Sequence, residues 1–338
     1  MKTNPSATLA LTLRGFFTDY LPRQRALSPH TLLSYRDSLK LLLKFAAGKK
    51  GDPSQLTVEH LPVEKITAFL QSLESARHNR VSTRNVRLSA IHSFFRYLGG
   101  ERPEHLAQAR RILAIPFKRT GTREIAHLDF EEIQAVLTAV EVARPNGHRD
   151  LALLSLMLNL GARVSEITGL HTDDLRLAAP SSVLLRGKGR KERTCPLWPE
   201  TARLLQTLIG QRGLPSNQSA PVFLNARGGR LTRFGVRTIL HKYLVKAARQ
   251  QPSLNHKRLH PHSLRHSTAI HLLRSGVDLS TIAHWLGHTS INTTHKYLSI
   301  DLEAKREALA KTKPLLKKTR HLADWRKDPN LIAWLEAL

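Results

Sequence analysis

The chain has one cysteine, Cys195, so no intramolecular disulfide can form, and a reducing cytoplasm fits that usage. Residues 1–25 have no signal-peptide pattern, because polar residues interrupt the apolar stretch LALTLRGFF. No long hydrophobic run exists either. The longest, LALLSLMLNL at 151–160, is about half a membrane span and reads as a buried helix. These absences predict a cytoplasmic protein with no membrane partner. The spacing GxxxxGK[ST] of a phosphate-binding loop is missing, and so is HExxH. Acidic residues are scarce: 26 Asp+Glu face 53 Lys+Arg, a net charge of +27 and a pI near 11.0. Such a charge says little about fold, but it favours a polyanionic partner.

The 338 residues suit two domains, each able to bury its own core. The charge is spread over both. Residues 1–120 carry 20 Lys+Arg against 8 Asp+Glu, and the rest carry 33 against 18. Two basic halves suit two domains gripping one duplex, where a single basic tail would not. Helical spacing of apolar residues runs over 8–21 and stops at Pro22. A second helix opens at Ser28-Pro29 and runs to about Phe45, a third covers 63–77, and a fourth covers 82–98, closed by Gly99-Gly100. Four helices predict a small all-α bundle. In the fourth, Val86, Ile91, Phe94, Phe95 and Leu98 are the core side, with Arg80, Arg84, Asn85 and Arg87 on or near the other. Residues 101–123 shift to prolines and basic residues, which places an interdomain linker over 106–122, centred near 110–122.

Beyond it, 127–140 reads as a helix capped by Asp129, and 149–161 as an apolar helix stopped by Gly161. Arg163, in GARVSE, lies just past that end, where Glu166 could orient it. The segment 181–198 reads as a β-hairpin. Its strand-like runs Val183–Arg186 and Thr194–Leu197 flank a turn rich in glycine and lysine that presents Lys188. Residues 199–249 look mostly helical and carry no chemistry of their own. The stretch HPHSLRHSTAIHLLRSGVDLSTIAHWLGHTSINTTHKYL, 260–298, then brings His262 and Arg265 in His-x-x-Arg, His288 after a Leu-Gly pair, and Tyr297 nine residues later. Gly287 should end a helix just before His288.

This set, in this order, resembles the catalytic domain of the tyrosine recombinases, the phage integrase family. The resemblance covers roughly 120–300, with a weaker echo over 8–100. It implies a mainly α protein with the tyrosine recombinase fold: an N-terminal four-helix, SAM-like core-binding bundle (8–105), and a mostly helical catalytic domain with a small antiparallel β-sheet (α+β, 123–300). A C-terminal tail (301–338) either packs on its own domain or exchanges between subunits. The second and fourth helices of such a bundle enter the major groove, which makes Thr31, Tyr35, Arg36, Arg80, Arg84, Asn85 and Arg87 candidate DNA contacts.

The resemblance also implies roles. Attack on a phosphodiester builds charge on non-bridging oxygens, and two guanidiniums suit that charge because each is planar, permanently charged and bidentate. Arg163 and Arg265 would form this clamp, with Glu166 supporting. Lys188 would protonate the departing 5′ oxygen. His262 and His288 would donate to the phosphate or move the tyrosine proton, and Tyr297 would be the nucleophile of a covalent 3′-phosphotyrosine. The arginines supply the positive charge, so neither a metal, nor ATP, nor any other cofactor is expected. The expected partner is double-stranded DNA with a specific core site, bound as a homo- or hetero-tetramer, with accessory DNA-bending or directionality proteins. The expected activity is site-specific recombination, in DNA integration and excision or in replicon dimer resolution.

Three other readings remain at this point. A zinc site is one: His260, His262, His266, His271, His284, His288 and His295 crowd the region, and His284 and His288 are spaced i, i+4. A non-catalytic, sequence-specific DNA-binding protein is another, and a type IB topoisomerase-like relaxing enzyme the third.

Overall fold

The computed structural model describes residues 5–121, 125–187, 191–212, 219–288, 292–297 and 336. They fall into two compact units, 1–123 and 124–338, each built round its own core.

The first unit is helical. Helix α1 (Pro5–Gly15) runs on into a π-helical segment, Phe16–Gln24. Pro22, expected to stop the helix, sits inside this segment. The chain passes it by widening, so that the carbonyls of Tyr20 and Leu21 accept from the N–H groups of Arg25 and Leu27 at 2.9 and 3.0 Å. Helices α2 (Pro29–Ala47), α3 (Val63–Ser75) and α4 (Val81–Glu101) follow the expected order. Leu88, Ile91, Phe95 and Leu98 repeat at helical spacing and put one side of α4 in the core.

Three further expectations about this unit are corrected. Val86 is two residues out of that phase and is 50% exposed, so it is not core. Arg84 is in phase with Leu88 and Ile91 and is 6% exposed, so it does not lie on the solvated side. The supposed linker also begins with a helix, α5 (Leu106–Leu113), which buries Ala109 and Ile112 against the bundle and makes the unit five helices. Its apolar stripe is short and is interrupted in sequence by Arg110 and Arg111, which hides it from a compositional reading.

The second unit opens with α6 (Phe130–Thr138), N-capped by Asp129, whose backbone N–H donates to Glu132 Oε2 at 2.9 Å. The apolar helix α7 (Gly147–Leu160) is buried almost throughout and ends in left-handed Gly161, φ +55°. A short helix α8 (Val164–Thr168) follows, then a three-stranded antiparallel sheet of β1 (Leu175–Arg176), β2 (Ser182–Arg186) and β3 (Glu192–Pro196) in the order β1-β2-β3. The hairpin is as expected; β1 is an addition. In β2–β3, Val183 pairs with Cys195 and Leu185 with Arg193, which puts Arg193 on the inner face of the sheet. Helices α9 (Pro199–Gly210), α10 (Arg233–Ala247), α11 (Pro261–Arg274), α12 (Leu279–Leu286) and α13 (Asn292–His295) complete the unit. A small second cluster joins Ala269 and Ile270 of α11 to Ile282 and Leu286 of α12 and to Tyr297. Among the described residues no helix is long and apolar enough to cross a membrane.

Candidate active site

The C-terminus of α12 positions the site. Gly287 takes a left-handed conformation, φ +66°, and its N–H and that of His288 bond back to His284 and Ala283, each at 2.9 Å. This double cap ends the helix before His288, as expected, and turns His288 away from the helical register of His284. It leaves the carbonyls of residues 285–287 without helical partners, at the negative end of the helix dipole. Three arginines take one each. Arg193 Nε donates to Trp285 O at 2.8 Å, Arg265 Nη2 to Leu286 O at 2.8 Å, and Arg163 Nη2 to Gly287 O at 3.2 Å.

Each guanidinium is fixed a second time. Arg163 N-caps α8, and both its backbone N–H and its Nη1 donate to Glu166 at 2.9 Å. Arg193 holds the same carboxylate in a fork, Nη1 to Oε1 at 3.1 Å and Nη2 to Oε2 at 2.9 Å. Burial would raise the Glu166 pKa, but the hydrogen bonds and charge of Arg193, then those of Arg163, hold it below its ordinary value. Arg265, on α11, is 1% exposed and donates through Nη1 to Gly161 O at 2.9 Å. Thr268, three residues on, donates to Leu158 O at 2.8 Å, which ties α11 to the end of α7. No carboxylate bonds Arg265 among the described residues. Desolvation, then the like charge of Arg163, lowers its pKa to about 10, so it remains a buried cation at neutral pH.

His262 lies one helical turn before Arg265 and so on the same face. Desolvation, then the charge of Arg265, lowers it to about 4, although the residue keeps an exposed edge. His288 is lowered to about 4 by desolvation and then by Arg265 and Arg163, and its Nδ1 lies 2.8 Å from Thr294 Oγ1. Both rings are neutral at pH 7. Tyr297 is 1% exposed, and burial raises its phenol to about 12 against a lowering pull from Arg265. Its hydroxyl lies 2.9 Å from Nδ1 of His266, the residue after Arg265.

The structure thus draws Arg163, Glu166, His262, Arg265, His288 and Tyr297 into one field of mutual interaction. Lys188 lies outside the described residues. The hairpin arm that carries it does reach the site, because a Cβ built on Gly187 would lie 3.2 Å from Glu166 Oε1. Two residues of the cluster were missed in the sequence. By composition Arg193 falls in the turn between the two strand-like runs, although the alternation Glu192-out, Arg193-in, Thr194-out, Cys195-in places it inward. His266 figured only as a histidine of a metal cluster. Among the described residues no group of three or more His, Cys, Asp or Glu is arranged to hold a metal ion.

The candidate DNA contacts of the first unit divide. Arg36 and Arg80 are exposed, Arg36 beside Asp37 at 2.8 Å. Thr31 and Tyr35 are half-buried near the start of α2, where Thr31 Oγ1 lies 3.0 Å from Ser28 Oγ. Arg84 is spent internally: its Nη1 donates to Pro116 O at 3.0 Å and Asn85 Oδ1 at 3.1 Å. Asn85 clamps Lys118, donating to its carbonyl at 2.8 Å and accepting from its N–H at 3.1 Å. Arg87 ties α4 to α2 through Ser38 Oγ at 2.9 Å.

Two arginines, two histidines and a buried tyrosine thus meet in the second of the two units. The Phage integrase family matches residues 126–303, and the family of its N-terminal SAM-like domain matches 16–102. The integrase/recombinase y4rC of Sinorhizobium fredii is 43% identical over 335 residues, covering 98% of this chain and 99% of that protein. The tyrosine recombinase XerC of Pelobacter propionicus is 34% identical over 305 residues, covering 88% and 94%. The transposon Tn1549 integrase, solved with a circular intermediate DNA, has the same fold at 15% identity, with a TM-score of 0.67 over 90% of this chain and 98% of that one. The chain belongs to the phage integrase family of tyrosine recombinases. It is a site-specific DNA recombinase, and nothing in these likenesses favours a relaxing enzyme or a non-catalytic binder over that.

Proposed function

We propose that this recombinase cuts and rejoins duplex DNA with Tyr297 as nucleophile and Arg163 and Arg265 as the phosphate clamp. The observation that carries this is the buried Arg265 guanidinium, bonded to the carbonyls of Gly161 and Leu286 and to no carboxylate among the described residues, one turn from His262 and in the field of a buried tyrosine. A buried cation without an acid partner is costly, and a phosphodiester seated against it relieves that cost. The free N–H positions of the two guanidiniums bind the non-bridging oxygens, where charge grows in the transition state. Tyr297 Oη bonds to phosphorus and the P–O5′ bond breaks. The departing oxygen takes a proton from Lys188, and the 3′ end stays on the tyrosine. Neutral His262 and His288 donate hydrogen bonds to the phosphate. A free 5′-hydroxyl of another strand reverses the step, so no ATP is consumed.

The substrate is double-stranded DNA carrying a core site. Exchange between two duplexes breaks four strands and one chain supplies one nucleophile, so the working assembly is a tetramer on DNA, of one or two kinds of chain. Thr31, Tyr35, Arg36 and Arg80 are the first unit's contacts with DNA. Asn85 and Arg87 border them, and Arg84 supports the helix from inside. Accessory DNA-bending or directionality proteins set whether the outcome is integration, excision or dimer resolution.

A nicked duplex taken from the DNA flanking the gene tests the chemistry. Loss of the short strand past the nick traps the adduct. A covalent protein–DNA band on a denaturing gel that forms with wild type and not with Tyr297→Phe is the expected result, with DNA binding retained in the variant. An adduct that persists in Tyr297→Phe refutes the assignment.

A further inference from the structure

Among the described residues the hydroxyl of Tyr297 meets a histidine, and it is neither of the two assigned to the phosphate. His266 Nδ1 lies 2.9 Å from Tyr297 Oη, and the two rings sit 5.6 Å apart at 59°. His266 is 8% exposed, so this contact is shielded from water. It lies on α11, one turn past His262, with ring centroids 4.5 Å apart in a T-shaped contact. Lys296 Nζ stands 5.1 Å from the centroid of the Tyr297 ring on another side. A tyrosine that attacks phosphorus must lose its proton, and the atom placed to receive it is Nδ1 of His266. We propose that His266 is a catalytic residue: the general base that takes the Tyr297 proton as the Oη–P bond forms, and returns it when the phosphotyrosine is resolved. This rests on Tyr297 being the nucleophile.

The step balances. The Oη–H bond breaks and Nδ1–H forms, Oη–P forms and P–O5′ breaks, and the 5′ oxygen leaves with a proton from Lys188. Before DNA arrives the base is held off. Desolvation, then the fields of His262, Lys296, His260 and Arg265, lower His266 to about 3, while the phenol is at about 12. At pH 7 the standing cations among these are Lys296 and Arg265, and Arg265 is the one the phosphodiester meets. A phosphate seated against Arg265 offsets its field and raises the basicity of His266, so the nucleophile is activated by the substrate it attacks and stays inert to water otherwise.

The experiment compares wild type, His266→Ala, His266→Asn and Tyr297→Phe in single-turnover adduct formation. The probe is a nicked duplex built on a site recovered by covalent capture from random genomic fragments. Asn presents an oxygen near the position of Nδ1, so it keeps the hydrogen bond but takes no proton. At pH 7 both His266 variants should lose about 100-fold in rate, within the usual range for a general base, with DNA affinity unchanged. The deficit should narrow as pH rises towards the phenol's own ionisation. It should persist on a 5′-bridging phosphorothiolate, whose sulfur leaves without a proton, whereas the same substrate should rescue Lys188→Ala. Full activity in His266→Asn reduces His266 to a positioning residue and overturns the proposal. Faster adduct formation in His266→Ala makes the contact a lock, which also overturns it. An adduct in Tyr297→Phe overturns the nucleophile instead, so the two failures are distinct.

Discussion

Arg193 gives the most demanding test of how the centre is held. Replacing it with methionine keeps most of the apolar volume and removes the fork. Glu166 then loses two of its four hydrogen bonds, at 3.1 and 2.9 Å, and Trp285 O loses a donor at 2.8 Å. Breaking a buried ion pair by removing one partner costs roughly 3–5 kcal/mol. Arg163 still holds Glu166, so the lower end, about 3 kcal/mol, is expected, equivalent to a fall in Tm of roughly 6–12 °C for a unit of this size. No tryptophan falls in residues 1–123, whereas Trp198 and Trp285 are in the second unit, so tryptophan fluorescence during urea unfolding does not report the first unit. The pH dependence separates this cause from simple loss of packing. Glu166 has a folded-state pKa below its ordinary value, so its contribution is present above the unfolded carboxyl's range and is lost as pH falls through the folded pKa. The gap between wild type and Arg193→Met should therefore be full at pH 7 and shrink below about pH 4. A gap under about 1 kcal/mol at pH 7, the scale of an exposed pair, would refute the reasoning, as would one of unchanged size at low pH.

Other consequences follow from the same contacts. Gly287→Ala places a Cβ 2.8 Å from Arg193 Nη1 at a φ of +66°, and should cost about 1–3 kcal/mol in urea unfolding, with adduct formation falling further than stability accounts for. Arg84→Met should destabilise the first unit by about 1–3 kcal/mol through the orphaned carbonyl of Pro116, whereas Arg80→Ala should leave stability within about 0.5 kcal/mol and lower the salt slope of DNA binding by about one. His262, His266 and His288 are all lowered to between about 3 and about 4, so the unfolded chain binds their protons first and stability should fall as pH drops from about 6.5 towards about 4. His266→Asn should flatten that dependence; a curve unchanged by the substitution would show that His266 does not titrate in this window.

Much of the centre was legible in the sequence because helix ends carry strong local signals. Gly161 and Gly287 both take positive φ where a helix must stop, and each stop is followed within two positions by a residue of the centre, Arg163 and His288. The residues that escaped are those whose environment is set by distant chain. Arg84 falls on the core face of α4 and is tolerable there because Pro116 brings its carbonyl to it, which no local pattern announces. Val86 is apolar and so reads as core, although its phase with Leu88 and Ile91 points it outward. Arg193 could have been placed inward by strand alternation, but its partner is 27 residues away on α8. His266 touches Tyr297 across 31 residues, and nothing in HSLRH distinguishes its role from that of His262.

The arrangement at the end of α12 explains how two like charges can be kept close before the substrate arrives. Arg163 and Arg265 repel, and the repulsion registers in the lowered pKa of Arg265. Carbonyl oxygens at a helix C-terminus are acceptors that must be satisfied and carry the negative end of the dipole, so they attract guanidiniums without neutralising them. One carboxylate, Glu166, is shared between Arg163 and Arg193, which leaves the three-arginine group with surplus positive charge. Had each arginine its own acid, the centre would be more stable and would have nothing left for a phosphodiester. The choice of carbonyls over carboxylates makes the centre both rigid and electrostatically unfinished, which is the condition the proposed phosphate clamp requires.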